Sequence, residues 1–182
     1  MSMTTCLVLA LVSLTIFVVY NAILIKMYGV PISLSHTFYY LQEHGHWGGW
    51  FTVMMWLMSG TLIAPWIEVG NVITPWSQYL NVLPFLTCAC LLFVATAANA
   101  RDGGVITGVH MWCAKLAAVF ALLWIFIVCY KICYIVPAWV LLIGGIAHLT
   151  KTAKSARDYW LEMVAFGSVF TAVITEIIIQ LV

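Results

Sequence analysis

The chain reads as an all-α integral membrane protein. Six transmembrane helices are expected, with a short interfacial amphipathic helix between the first and second. Three observations predict this. Of 182 residues, 65% are hydrophobic and only 7% are charged, against about 25% charged and about 45–50% apolar in a soluble domain. A water-soluble fold would lack the charge to coat its outside. Six apolar runs approach or exceed the roughly 20 residues that a helix needs to cross a bilayer. The links between them are short and show no repeat, low-complexity tract or soluble domain, so residues 1–182 form one bundle.

The first run is about Thr5 to Ile25. No Lys or Arg precedes it, it is long for a signal-peptide core, and no A-x-A site follows, so it reads as a span and not as a cleaved leader. The second run is about Trp50 to Ile67, the third Tyr79 to Ala100, and the fourth Val109 to Tyr130. The fifth, Ile135 to Leu149, is short, and Pro137 suits the first turn of its helix. The sixth is about Tyr159 to Val182. In hydrocarbon each run must satisfy its own backbone, which makes them helices.

Aromatic residues mark the ends. Trp47 and Trp50 open the second helix and Trp66 closes it. Sixteen residues rise about 24 Å at 1.5 Å per residue, which would set rings at both interfaces. Trp56 and Trp124 fall mid-span and are expected between helices. Asn21 and Asn81 are expected to make interhelical hydrogen bonds. The six cysteines lie in or beside apolar runs and read as small packing residues.

Between the first two spans lies the most polar stretch, Gly29 to Gly49, with His36, His44, His46 and Glu43. Ser33 or Ser35 can cap a helix by accepting from a free backbone N–H. Leu34, Phe38 and Leu41 follow at helical spacing, and Gly45 ends the segment. Such a helix either lies at the interface or folds back as a lid over the bundle.

Six crossings put the first, third and fifth links on one membrane face. Lys26, Arg101, Lys151, Lys154 and Arg157 flank those links, Lys115 lies just inside the fourth helix from the same side, and only Lys131 is opposite. The positive-inside rule then puts those links in the cytoplasm and both termini outward. All five histidines share that face. Net charge is +1, so there is no basic field for nucleic acid.

Two charges lie inside spans on this side. An ionised residue at mid-bilayer costs at least about 2.5–3.5 kcal/mol, so it usually faces a partner or a wet cavity. Lys115 and Glu162 are therefore expected to pair or share a pocket, unless Lys115 snorkels to the interface. In the sixth helix, Glu162, Ala165, Ser168, Ala172, Thr175 and Glu176 fall within about 140° at 100° per residue. That small-and-polar stripe should face the bundle, as should Ala114, Ala117, Ala118 and Ala121 of the fourth helix.

The spacing Gly29-x-Pro31-x-Ser33-x-Ser35-x-Thr37-x-Tyr39-Tyr40, with Tyr20-Asn21 before it and Val109-His110 later, resembles small uncharacterised multi-spanning membrane proteins of gut bacteria and their phages. That likeness implies a bacterial inner (cell) membrane. A more distant resemblance is to the ceramidase-like and Frag/DRAM-like membrane superfamily, through the serine-rich first link, six helices, and His110 followed by Ala114. It implies zinc held by His36, His110 and His148, with a bound water and Asp102 or Glu162 as general base. The chain lacks the H-x-x-x-H pair of that family, and His44-x-His46 is no equivalent.

Three functions follow. The first is a non-enzymatic bundle with a one-sided polar cup for a lipid head group, small ligand or protein partner. Ser33, Ser35, His36, Tyr40, Asp102, His110, Lys115, His148 and Glu162 would form that cup, and no cofactor is needed. The second is an oligomeric pore or small transporter, a homo-oligomer with Lys115 and Glu162 along its path. The third is the zinc-dependent hydrolase.

Overall fold

The computed structural model describes residues 1–73, 77–97, 105–152 and 154–182. Seven α-helices and no strand occur among them: α1 (Met3–Tyr28), α2 (Thr37–Glu43), α3 (Gly49–Ile73), α4 (Val82–Thr96), α5 (Val105–Ile127), α6 (Ile135–Leu149) and α7 (Arg157–Leu181). Six helical segments are long and apolar enough to cross a membrane. The third and fifth reach that length only with the 3-10 turns that precede α4 and α6. The short helix α2 lies between the first two spans, as expected.

Local chemistry sets the ends of α1. Ser2 Oγ accepts from Thr5 N–H at 3.1 Å, filling one of the donors that a helix start leaves open. The helix stops at Gly29, whose φ of +78° is one that L side chains rarely adopt, and its N–H closes on Ile25 O at 2.9 Å. Gly45, at φ +74°, ends the turn after α2 in the same way.

Helices α3 and α7 are the hubs. α1 packs on both, α4 packs on α3, α5 packs on α4 and α7, and α6 packs on α7. Met54, Met55 and Met58 of α3, Trp124 and Ile125 of α5, and Ala172 and Val173 of α7 are buried at the centre. Thioether chains suit this role because they fill irregular gaps. Side chains also bond across helices: Ser13 Oγ donates to Met58 O at 2.8 Å, Thr52 Oγ1 to Ala95 O at 2.9 Å, and Trp139 Nε1 to Thr171 Oγ1 at 3.0 Å. Each removes a polar group that lipid would leave unsatisfied.

The expected stripes face inward in part. Ser168, Ala172 and Glu176 of α7 and Ala117 and Ala121 of α5 are buried, while Ala165 and Thr175 are only half-buried. Two tryptophans depart from expectation. Trp56 is 50% exposed on the outside of the bundle, whereas Trp66 is buried edge-on to Trp124 at 5.6 Å. The direction each ring takes around the helix differs from the expectation. Sixteen residues at about 100° each leave Trp66 roughly 160° around the helix from Trp50, so both cannot face lipid.

Candidate functional site

The first link folds back against α1 and α7. Pro31, Leu34, Thr37 and Leu41 turn inward and are buried. Two backbone groups hold it to the start of α7. The Ile32 carbonyl accepts from Tyr159 N–H at 3.0 Å, which satisfies a donor in the first turn of that helix. Leu34 N–H donates to Glu162 Oε2 at 2.6 Å, a short hydrogen bond.

A second set of bonds ties the link to α1. Thr37 Oγ1 donates to Leu34 O at 2.6 Å. The threonine has one hydroxyl proton, so Tyr20 must donate its own to Thr37 Oγ1 across 2.7 Å. One residue on, Asn21 Nδ2 donates to Phe17 O at 2.9 Å and Asn21 Oδ1 accepts from Tyr159 Oη at 3.2 Å. Asn21 thus makes the interhelical bond expected of it. Asn81 Nδ2 does likewise, donating to Asn71 Oδ1 at 2.6 Å.

Ser33, Ser35, His36, Tyr40 and Glu162 are therefore gathered on the α1–α7 side. Ser33 Oγ accepts from His36 N–H at 3.2 Å and contacts Ser35 Oγ at 3.2 Å in the turn before α2, but neither serine caps the helix: the cap position is His36, with no side-chain cap bond. The His36 ring is half-buried, edge-on to Tyr40 at 4.7 Å. His44 and His46 are exposed, and the His44 ring lies 4.5 Å from that of Tyr28.

The rest of the expected cup is elsewhere. His110 is half-buried on α5 and faces the carbonyls of Val94 and Ala97 at the end of α4. His148 is exposed at the end of α6. Asp102 lies outside the described residues. Lys115 does not pair with Glu162: its ammonium is 5.5 Å from the Trp112 ring on the exposed side of α5. Lys115 lies on the exposed side of α5, while Glu162 Oε2 takes the Leu34 N–H on the α1–α7 side. Among the described residues no group of three or more His, Cys, Asp or Glu side chains comes together to hold a metal. His36, His110 and His148 thus do not form the zinc set that the ceramidase resemblance implies.

Beneath the clasp runs a groove that the sequence did not reveal. It has a volume of about 540 Å³ and lies between α1, α6 and α7. Phe17, Asn21 and Ile25 line it from α1, Trp139 and Ile143 from α6, and Tyr159, Met163, Gly167 and Phe170 from α7. Gly167 is what lets the Trp139 ring approach: a Cβ there would sit 2.7 Å from it. That glycine in a membrane helix was the one available signal. The remaining walls are apolar residues that look like any lipid-facing surface. No protein-family model, curated protein or solved structure matches the chain.

Proposed function

We propose that this protein is a non-enzymatic, lipid-binding membrane bundle. The α1–α6–α7 groove would take the apolar chain of a membrane lipid, with its head group at the clasped end. The observation that carries this reading is the shape and polarity of the groove. From Leu14 to Ile25 on α1 it extends about 16 Å, and from Tyr159 to Thr175 on α7 about 24 Å, at 1.5 Å per residue. A hydrocarbon core is about 30 Å thick, so this exceeds the depth of one leaflet. The groove is mostly apolar, with Thr171 and Thr175 toward its far end, and at the clasped end Asn21 and Tyr159 face it under the link that carries Ser33, Ser35 and His36. Its 540 Å³ falls within the roughly 300–1,000 Å³ of ligand pockets.

In this reading the cation bias places the clasped face in the cytoplasm and both termini outward, in a bacterial cell membrane. The pore reading has less support, because Met55, Met58, Trp66 and Trp124 fill the space between α3 and α5 and Lys115 faces away from Glu162.

The test is native mass spectrometry of the detergent-solubilised chain after delipidation. Wild type should retain bound lipid. Ala22→Phe, at the groove edge on α1, should lower the retained copies severalfold. Trp112→Phe, on the exposed side of α5, should leave them unchanged. Equal retention in wild type and Ala22→Phe would overturn the proposal. The same spectra give subunit number, which tests the homo-oligomer.

A further inference from the structure

The opposite end of α7 holds a different carboxylate. Glu68 accepts from the Met1 ammonium at 2.7 Å, Asp158 contacts Arg157 at 3.2 Å, and Glu162 is taken by Leu34. Glu43 is exposed in α2. Glu176 is neither exposed nor satisfied. It is 7% exposed, and no described donor lies within hydrogen-bond distance of its oxygens. Instead it lines a cavity of about 170 Å³ formed by the end of α7, the end of α3 and the turn before α6. At roughly 30 Å³ per water, that is room for five or six water molecules or a group of similar size.

Lys131 lines the same cavity, with its side chain exposed. It lies near enough to act on Glu176 through its charge, yet does not close on it as an ion pair. A free cation entering here would meet Lys131, and a free anion would meet Glu176. A zwitterion that leads with its positive end satisfies both. The other lining groups, among them the Gln180 amide and the Tyr130 hydroxyl, are uncharged, so the two charges would orient it.

The positive end can be specified further. Quaternary ammonium groups are bound by aromatic cages, and Tyr130 is the one aromatic residue lining this cavity. A primary ammonium carries three N–H donors and can give a carboxylate a short charge-assisted bond. Glu176 is five residues from Leu181, about 8 Å from the helix end at 1.5 Å per residue, which is a depth that a head group reaches from the interface.

We propose that this cavity binds a phosphoethanolamine group, with its ammonium on Glu176 and its phosphate at Lys131. The group could come from a membrane lipid or from a soluble ester. This site uses α3, α7 and the α5–α6 turn, so it does not rest on the groove.

The test compares lipids of equal chain length on the full chain by native mass spectrometry, with phosphatidylethanolamine and phosphatidylcholine as probes and glycerophosphoethanolamine as a soluble competitor. Wild type should favour phosphatidylethanolamine by about tenfold, the weight of one charged hydrogen bond. Displacement by the soluble ester marks the head group alone as sufficient. Resistance to it, with the preference intact, marks the lipid as the source. Glu176→Gln should abolish the preference, and Lys131→Gln should weaken phosphatidylethanolamine binding severalfold. Ala22→Phe should leave the preference intact even if it empties the groove. Equal binding of the two lipids by wild type would overturn the proposal. So would a preference that survives in Glu176→Gln. Should Glu176→Gln fail to fold, undiminished binding by the exposed Lys131→Gln variant would overturn it too.

Discussion

Helix α7 carries two glutamates with opposite fates. Glu162 and Glu176 are 14 residues apart, about 21 Å along the helix at 1.5 Å per residue. Glu162 is closed, because the chain itself supplies a donor from Leu34. Glu176 is open, because it faces a cavity with Lys131 beside it and no donor on it. A carboxylate in an apolar helix is therefore not a functional residue by position alone. What distinguishes the two is whether the protein's own backbone already donates to the carboxylate.

The largest expected effect comes from breaking the closed end. Glu162→Ala leaves the Leu34 N–H without an acceptor, and a buried unsatisfied donor costs about 1–3 kcal/mol. In a chain of this size each kcal/mol corresponds to roughly 2–4 °C, so thermal unfolding in detergent should shift by several degrees. Hydrogen exchange should rise over residues 30–46. Glu162→Gln keeps an oxygen acceptor and should lie much nearer wild type. If Ala and Gln behave alike, the bond to Leu34 does not hold the clasp.

A smaller effect is expected one turn away. Tyr159→Phe removes the hydroxyl that Asn21 accepts, which in membrane bundles is worth on average about 0.6 kcal/mol. Combined with Glu162→Ala it should be less than additive, since both act on one docked segment. Full additivity in denaturant unfolding would mean that the two contacts are independent and that the clasp is not a unit.

The smallest effect belongs to Lys115. Its charge lies over Trp112 on the exposed side, so Lys115→Gln should change stability by no more than about 0.5 kcal/mol. It should also leave the effect of Glu162→Ala unaltered. A strong coupling between positions 115 and 162 in a double-mutant cycle would restore the pair that the residue types suggest.

How much of this was legible in the sequence differs between levels. The spans, their order, the short helix after Pro31, and the stop at Gly45 were all readable, but the serine cap was not borne out, since His36 holds the cap position. Asn21 was readable as a bonding residue, since an amide in an apolar helix needs a partner. The partner itself, Tyr159, was not readable. Neither was the real acceptor for Leu34, because backbone N–H groups leave no mark in a sequence. The expectation that the histidines share a face misled about a site: His36, His110 and His148 lie on different helix pairs and do not come together.

Hydropathy is a sum over consecutive residues, so the sequence by itself determined six helical segments long and apolar enough to cross a membrane and the place of each polar group along them. Azimuth and partnership depend on which helix lies alongside, which is set by contacts between residues far apart in the chain. Only the tertiary structure could decide that Trp66 turns inward while Trp56 is exposed on the outside of the bundle. Only it could decide that the first link closes over Glu162, and that the end of α7 is left open around Glu176.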